Sequence, residues 1–176
     1  MALNPSVQKK VQAEIDEVLG PKPPAIEDIS QMNYTMATLM ELQRLSAVAP
    51  ASLPHKLLKE TTVKGYKFKK GTVFLSNILK LLWDPNQFPD PMTFKPERFL
   101  DTDGDVVRKD YFVPFGIGKR ICMGETLAKN EMFIFFVRLL QRLNISLTDK
   151  IPDPEDCISG ITRIPKPYYV KVNDRT

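Results

Sequence analysis

Cysteine and histidine are scarce in this chain, and their scarcity argues against two classes of protein: small disulfide-bonded secreted domains and structural zinc proteins. The 176 residues include two cysteines, Cys122 and Cys157, and one histidine, His55. The two cysteines could form at most one disulfide bond, which is too few for the disulfide framework of a small secreted domain. A reducing compartment is therefore favoured. A tetrahedral zinc site is not expected either, because such sites need closely paired cysteine or histidine ligands.

A long apolar run is also missing. The most apolar stretch, "MFIFFVRLLQRL", is interrupted by Arg138 and falls short of the roughly 18 residues that a membrane span requires. The first residues, "MALNPSVQKKVQAEID", have neither the apolar core nor the small-residue cleavage site of a signal peptide. We therefore expect neither an anchor nor a secretion signal within this sequence.

Charge is only mildly unbalanced. Lysine and arginine number 25 against 21 acidic residues, a net charge of +4, which favours an acidic partner or an anionic membrane surface without choosing between them. Nucleic acid is a poor candidate, because there is no basic repeat and no interleaved aromatic platform. The 43% hydrophobic and 26% charged composition is that of a folded globular protein.

The sequence pattern predicts an α+β fold that is mainly helical. Apolar residues at helical spacing predict helices over residues 4–20, 31–46 and 123–142. Runs of β-branched and aromatic residues broken by glycine predict a small sheet over 51–77 and a terminal β-hairpin over 144–172. Prolines predict ordered coil or turns over residues 84–98 and 150–167. We expect coil and a loop over the whole of residues 84–124. We expect a single domain over residues 1–176.

The stretch "FGIGKRICMG" places Cys122 at the start of the long helix. Unpaired backbone N–H groups and the helix dipole favour a thiolate there. Gly118 and Gly124 let a flat ligand approach the sulfur, Phe115 can shield it, and Arg120 can bind a carboxylate. An iron macrocycle bearing carboxylates would use all these features; a buried structural cysteine beside a turn is the alternative.

These residues satisfy F-x-x-G-x-R-x-C-x-G, which resembles the haem-binding signature of the haem-thiolate monooxygenases, the cytochrome P450 family. The resemblance implies haem b as cofactor, with Cys122 as the metal ligand and Arg120, Phe115, Gly118 and Gly124 in contact with the haem. It covers essentially the whole chain but only the C-terminal portion of such an enzyme. The implied fold is therefore that portion: helices J, K and L, small β-sheets and the haem-binding loop.

Two further motifs agree with the same family, both in their order along the chain and in the distance between them. "ELQR" puts Glu41 and Arg44 at i, i+3 spacing on one helix face, for which a solvated surface pair is the alternative. "FKPERF" supplies Arg98. Together they resemble the family's E-x-x-R and P-E-R-F motifs, which implies a buried triad of Glu41, Arg44 and Arg98. Its implied role is structural: it locks the coil that leads to the cysteine.

"PASLPHK" resembles the strand that lines the substrate cavity in the microsomal drug- and steroid-oxidising branch, family two of the superfamily. The resemblance implies that His55 donates to a haem propionate; a plain surface histidine is the alternative. It also implies that Ala49, Ala51 and Leu53 line an apolar cavity, with Ile161 at the tip of the late hairpin "ISGITR" reaching into it.

Lys119 and Lys129 lie on the cysteine's side of the implied haem. In this family the basic proximal surface receives NADPH-cytochrome reductase, with cytochrome b5 as a second candidate, and opposite charge steers the encounter. An ordinary solvated face is the alternative reading of both lysines.

The implied activity is insertion of one atom of O2 into an apolar organic substrate, of the xenobiotic, steroid or fatty-acid class, with electrons from NADPH. The full-length parent would lie on the cytosolic face of the endoplasmic reticulum membrane, held only through its N-terminal part. Nothing here resembles the helix whose acid and alcohol pair delivers protons to oxygen, so we expect the isolated chain to be inactive. The alternatives are a non-catalytic haem-binding or reductase-competing fragment, and an interaction domain that has lost haem.

Overall fold

Three long helices form the first of two apolar cores. The computed structural model describes residues 1–151, 153 and 155–175. Helix α1 spans Pro5–Val18, α2 spans Asn33–Ser46, and a third long helix spans Glu125–Arg142. Their apolar faces meet in a cluster of fully or almost fully buried side chains: Val7, Val11, Ile15, Leu19, Met32, Leu39, Phe133, Val137 and Leu140. No helix in the described part of the chain is long and apolar enough to cross a membrane.

The second helix begins at Asn33, two residues later than the pattern predicted, because residues Ile26–Gln31 form a separate 3-10 helix. Its start is fixed from a distance: the Glu14 carboxylate on α1 accepts the backbone N–H groups of Tyr34 at 2.8 Å and Thr35 at 2.7 Å. These N–H groups have no partner within the helix itself. Apolar spacing does not reveal a cap that comes from another helix.

Within the described residues the strands form four separate two-stranded antiparallel pairs. In the first region β1 (His55–Lys56) pairs with β4 (Val73–Phe74) and encloses the hairpin of β2 (Thr61–Val63) and β3 (Tyr66–Phe68). In the second, β5 (Leu143–Leu147) pairs with β8 (Val170–Asp174) and encloses the hairpin of β6 (Cys157–Ser159) and β7 (Arg163–Pro165).

The prediction of one sheet over 51–77 and one hairpin over 144–172 was therefore too simple. The inner hairpin of the first region closes on Lys64 and Gly65, both with positive φ (48° and 84°), the geometry of a tight two-residue turn. Gly71, with φ 90°, then turns the chain before β4. The β1–β4 and β2–β3 pairs are separate two-stranded sheets.

A second apolar core holds the coil against α2. After β4 comes a short helix, α3 (Ile78–Leu82), whose N-cap residue Asn77 accepts the N–H of Lys80 through Oδ1 at 2.9 Å; the sequence pattern did not predict this helix. The cluster consists of Ala37, Ala47, Ile78, Leu82, Phe88, Phe99 and Phe112. The rings of Phe99 and Phe112 meet edge to face at 4.8 Å between centroids, which packs residues 84–112 onto the helices.

The helix after the cysteine, now α4, runs from Glu125 to Arg142 and starts two residues later than predicted. Gly124 is its N-cap residue. Two short 3-10 helices, Pro96–Phe99 and Gly118–Arg120, interrupt the coil that precedes it. Cys122 therefore lies between the second of these turns and α4.

Candidate functional site

The loop that carries Cys122 is closed by its own backbone. The Cys122 N–H donates to the Phe115 carbonyl at 2.9 Å, and the Ile121 N–H donates to the Gly118 carbonyl at 3.1 Å. Gly116 and Gly118 have φ of 79° and 70°, which residues with a side chain rarely adopt. The loop thus needs glycine at both positions, and the sequence motif contained only the second.

The Cys122 thiol is free and exposed. A Cβ added at Gly124 would stand 3.9 Å from Cys122 Sγ, so glycine keeps that side of the sulfur open. Ile117, Ile121 and Met123 are also exposed, Met123 completely. An exposed cysteine whose sequence neighbours are exposed apolar side chains fits a flat apolar ligand whose metal the sulfur would bind.

Arg120 and Lys119 lie on the exposed face of the same loop. Neither forms a salt bridge with any residue that the structure describes. A guanidinium without a carboxylate partner, two residues from the thiol, is free to bind a carboxylate of a ligand held at Cys122.

The Phe115 carbonyl accepts the Cys122 N–H, and the Phe115 ring lies beside Lys129. The ring is half-buried and lies 5.7 Å from the Lys129 ammonium. It lines a cavity of about 160 Å³ between α2, α4 and the coil, together with Met36, Met40 and Phe112. Cys122 itself is exposed, and the shielding role of Phe115 stays a prediction.

Lys129 is less available than the sequence suggested. Its ammonium pairs with the Glu125 carboxylate one helical turn earlier, and its side chain is 33% exposed. Arg108 approaches the same carboxylate at 3.9 Å from the coil. Glu125 therefore neutralises part of the positive charge beside the cysteine loop, and Lys119 is the more exposed of the two lysines.

Glu41, Arg44 and Arg98 meet in the interior. Glu41 accepts from Arg44 through two bonds, at 2.7 and 2.9 Å, and from Arg98 Nε at 3.1 Å. The side chains of Glu41 and Arg44 are completely buried and that of Arg98 is 8% exposed. Glu41 also accepts the backbone N–H of Lys95 at 2.9 Å, a contact that the motifs did not reveal.

The two arginines connect this cluster to the coil and to α3. Arg98 donates to the carbonyls of Pro89, Asp90 and Thr93. Arg44 Nη1 donates to the Leu82 carbonyl at 3.0 Å. A single carboxylate thus fixes two guanidinium groups, which in turn hold several carbonyls of the segment that leads to the cysteine loop.

Glu97, next to Arg98, ties the coil to α1 and α2. It accepts from Lys10 Nζ at 2.8 Å and from the Tyr34 hydroxyl at 3.1 Å. Burial works to raise the pKa of the Glu97 carboxyl, but the hydrogen bonds from Lys10 and Tyr34 outweigh it and hold that pKa below its usual range. Burial, followed by the negative charge of Glu97, raises the pKa of the Tyr34 phenol.

The residues assigned to the substrate cavity and to the haem propionate lie on the surface. His55 opens β1 opposite Phe74 and is exposed. Ala49 and Ala51 are exposed, Leu53 is 73% exposed, and Ile161, at the turn between β6 and β7, is 86% exposed. No contact in the described part of the chain joins His55 to the cysteine loop, so its role remains a prediction.

Arg163, which sequence reasoning missed, connects the late hairpin to the end of α2. Its N–H donates to the Val48 carbonyl at 2.8 Å and its Nη1 to the Ser46 carbonyl at 3.0 Å. Its guanidinium lies 4.7 Å from the ring centroid of Trp83 and its Nη2 is 3.2 Å from Cys157 Sγ. A cation at a helix C-terminus is favourable, and these contacts fix the hairpin that carries Ile161.

Replacing Arg163 with glutamine is expected to lower the free energy of unfolding by about 1 to 3 kcal/mol, because charged hydrogen bonds and a cation–π contact are lost. Trp83 is the only tryptophan, so acrylamide quenching of its emission should increase and report the loosened hairpin. The control is Lys166→Gln, on the same hairpin arm but in an exposed pair with Asp156. Equal quenching in both variants would show that Arg163 does not hold the hairpin.

An exposed thiol lies just before the long helix α4, and a buried carboxylate with two arginines holds the coil that leads to it. This arrangement and the sequence motifs point to one family of proteins. The chain belongs to the cytochrome P450 family, whose family model matches residues 1–172. The resemblance stated from the motifs and the α+β fold class are both confirmed.

Individual proteins that are similar to this chain support the same family. The chain is 45% identical to cytochrome P450 2U1 of Rattus norvegicus over 99% of its own length and 33% of that protein. It is 43% identical to cytochrome P450 2B2 of Rattus norvegicus, over 94% of the chain and 34% of that protein. It is also 43% identical to the 3-ketosteroid oxygenase of Caenorhabditis elegans, over 96% of the chain and 30% of that protein. The chain thus spans about a third of the length of these relatives.

Proposed function

We propose that these residues form the haem-ligating portion of a monooxygenase that inserts one atom of O2 into an apolar organic substrate. The observation that supports this most is the free, exposed Cys122 thiol in a glycine loop before α4. Haem, when bound, supplies the iron at which dioxygen is activated, and a thiolate ligand favours cleavage of the O–O bond. The chain's own contribution is to hold the ligand and orient it.

Three parts of the loop would perform that task. Cys122 Sγ would bind the haem iron, and the backbone hydrogen bond from the Cys122 N–H to the Phe115 carbonyl would help to hold the cysteine in place. The exposed side chains of Ile117 and Ile121 would cover the face of a macrocycle. Arg120 would bind a carboxylate at its edge.

Substrate and partner are the finer parts of the proposal. Among the relatives are a protein named 3-ketosteroid oxygenase and several named cytochromes P450, which supports an apolar substrate such as a steroid, fatty acid or xenobiotic. Exposed Lys119 supports docking of an acidic NADPH-cytochrome reductase, and of cytochrome b5, beside the cysteine loop. The resemblance of the motifs to the microsomal branch supports the endoplasmic reticulum membrane as the location of the whole protein.

Substitution of Arg120 tests the orientation of the ligand. Arg120→Leu is expected to weaken haem binding by roughly 10- to 100-fold, as loss of a supporting group around a metal typically does, because a carboxylate of the bound group loses its cation. The affinity is measured by titrating the protein with haemin and following the absorption band.

The matched control is Lys119→Leu, which removes the same charge one residue away on the same exposed face. It should leave haem affinity nearly unchanged, since Lys119 is assigned to partner docking and not to the haem. Equal losses in the two variants would contradict a specific role for Arg120 and indicate a general charge effect.

A further inference from the structure

The cavity that Phe115 lines has a mainly apolar wall of flexible and aromatic side chains. Its volume is about 160 Å³, and Met36, Met40 and Phe112 line it together with Phe115. An engineered apolar cavity of about 150 Å³ is large enough to bind benzene. Methionine adapts to the shape of its neighbours, and its sulfur packs favourably against aromatic rings. The cavity therefore has the size and the wall to hold one aromatic ring.

One part of the cavity wall is charged. Arg108 from the coil and Lys129 from α4 line it, and both approach the carboxylate of Glu125, which lines it as well. Two cations share one anion, so this part of the wall keeps a positive excess. The Arg108 side chain is 70% exposed and its Nη2 stays 3.9 Å from Glu125. Its guanidinium can therefore bind a second carboxylate.

A polar atom in the wall lacks a partner. Gln43 lines the cavity, and within the described residues its Oε1 is the one buried side-chain oxygen or nitrogen without a hydrogen bond. Its Nε2 lies 3.7 Å from Met132 Sδ. Met132 follows Lys129 by three residues on α4, which is about one helical turn. The Gln43 amide thus lies about one turn away from the charged part of the wall. A buried carbonyl without a partner has a free-energy cost that a ligand hydroxyl would remove.

We propose that this cavity binds a small phenolic carboxylate, which is a single aromatic ring that carries a hydroxyl and a carboxylate. The ring would pack among Met36, Met40 and Phe112. The carboxylate would lie at Arg108, and the hydroxyl would donate to Gln43 Oε1. The proposal does not rest on the haem function, because none of these contacts involves Cys122.

Ordered water is the simplest other occupant. Water would supply Gln43 Oε1 with a donor, but it gains little beside Met36 and Phe112, since apolar cavities of this size stay dry. A ligand with a ring, a donor and a negative charge satisfies all three parts of the wall at once.

The test uses the 176-residue chain without haem, so that its outcome is separate from that of the haem experiments. The probes are para-hydroxyphenylacetate, phenylacetate, which lacks the hydroxyl, and para-hydroxyphenylacetamide, which lacks the charge. Binding is followed by NMR of isotope-labelled methionine methyl groups. Met36 and Met40 line the cavity, whereas Met92 and Met123 do not, and so the methyl signals locate the ligand.

We expect para-hydroxyphenylacetate to shift the Met36 and Met40 signals until they saturate, and to leave those of Met92 and Met123 in place. Phenylacetate and the amide should each bind about tenfold more weakly, because each has lost one of the two polar contacts.

Two variants assign these contacts. Gln43→Leu should remove the preference for the hydroxyl, so that para-hydroxyphenylacetate and phenylacetate bind equally. The fold should stay intact, because leucine leaves no unpaired carbonyl. Arg108→Gln should weaken binding of para-hydroxyphenylacetate about tenfold and leave binding of the amide unchanged. The matched control is Arg138→Gln, which removes the same charge from an exposed arginine that does not line the cavity. It should leave all three affinities unchanged.

Three outcomes would overturn the proposal. No saturable shift of the Met36 and Met40 signals in the folded chain would leave the cavity to water. Shifts centred on Met92 would place the ligand at a different surface. Equal binding of para-hydroxyphenylacetate and its amide, or an unchanged preference for the hydroxyl in Gln43→Leu, would show that Arg108 or Gln43 does not recognise the ligand.

Discussion

Cys122→Ala is expected to abolish thiolate ligation and to lower the haem affinity of the chain by more than about 100-fold. Cys122 is a free thiol at the centre of the glycine loop, and alanine leaves the iron with no anionic ligand on that side. Loss of a direct ligand should exceed the roughly 10- to 100-fold effect of losing a supporting residue. Haemin titration of the variant, followed by absorption, measures the change.

Cys157→Ala is the matched control, because Cys157 is the only other thiol in the sequence. It lies in β6 against Arg163, at the late hairpin, and its loss should leave haem affinity unchanged. Haem binding that depends on Cys157, or that survives in full in Cys122→Ala, would refute Cys122 as the ligand.

Glu41→Gln is expected to lower the free energy of unfolding by about 3 to 5 kcal/mol, the usual effect of removing one partner from a buried ion cluster. The carboxylate compensates two guanidinium groups that are 0% and 8% exposed, and glutamine leaves both without a counter-charge. It would also weaken the bond to the Lys95 N–H. Urea denaturation followed by far-ultraviolet circular dichroism gives the midpoint and the free energy.

Glu97→Gln provides the comparison. Glu97 is in the same Pro96–Phe99 turn as Arg98, but its carboxylate is 41% exposed and pairs with Lys10, and exposed pairs contribute no more than about 1 kcal/mol. The free energy of unfolding should therefore fall by a large amount in Glu41→Gln and by a small amount in Glu97→Gln. Similar small losses in both variants would mean that the buried cluster contributes little to stability.

The elements that the sequence predicted are those set by local spacing. Helix α1 and the long helix α4 follow from apolar residues recurring at helical period, and Glu41 and Arg44 share a face because they are three residues apart. The structure of the strand regions could not be predicted in the same way. In the first region, the turns at Lys64, Gly65 and Gly71 have positive φ, which only the two glycines signalled, and the nesting of one strand pair inside another has no local sequence signal in either region.

Contacts between segments that lie far apart in the sequence were the features that could least be predicted. Glu14 caps α2 and Arg163 stacks on Trp83, and neither pair has a sequence spacing that links its members. The Phe115 ring lies 5.7 Å from the Lys129 ammonium and lines the cavity between α2, α4 and the coil, a placement that the motif spacing did not reveal. The roles of His55, Ala49, Ala51, Leu53 and Ile161 stay predictions.

The central claim is that Cys122 of this chain ligates haem iron as a thiolate. The direct measurement is the absorption spectrum of the haem-reconstituted 176-residue chain after reduction and exposure to carbon monoxide. We predict a Soret band at the long wavelength that thiolate ligation produces. A band at the shorter wavelength of imidazole-ligated haem, or no uptake of haem by the folded chain, would contradict the account.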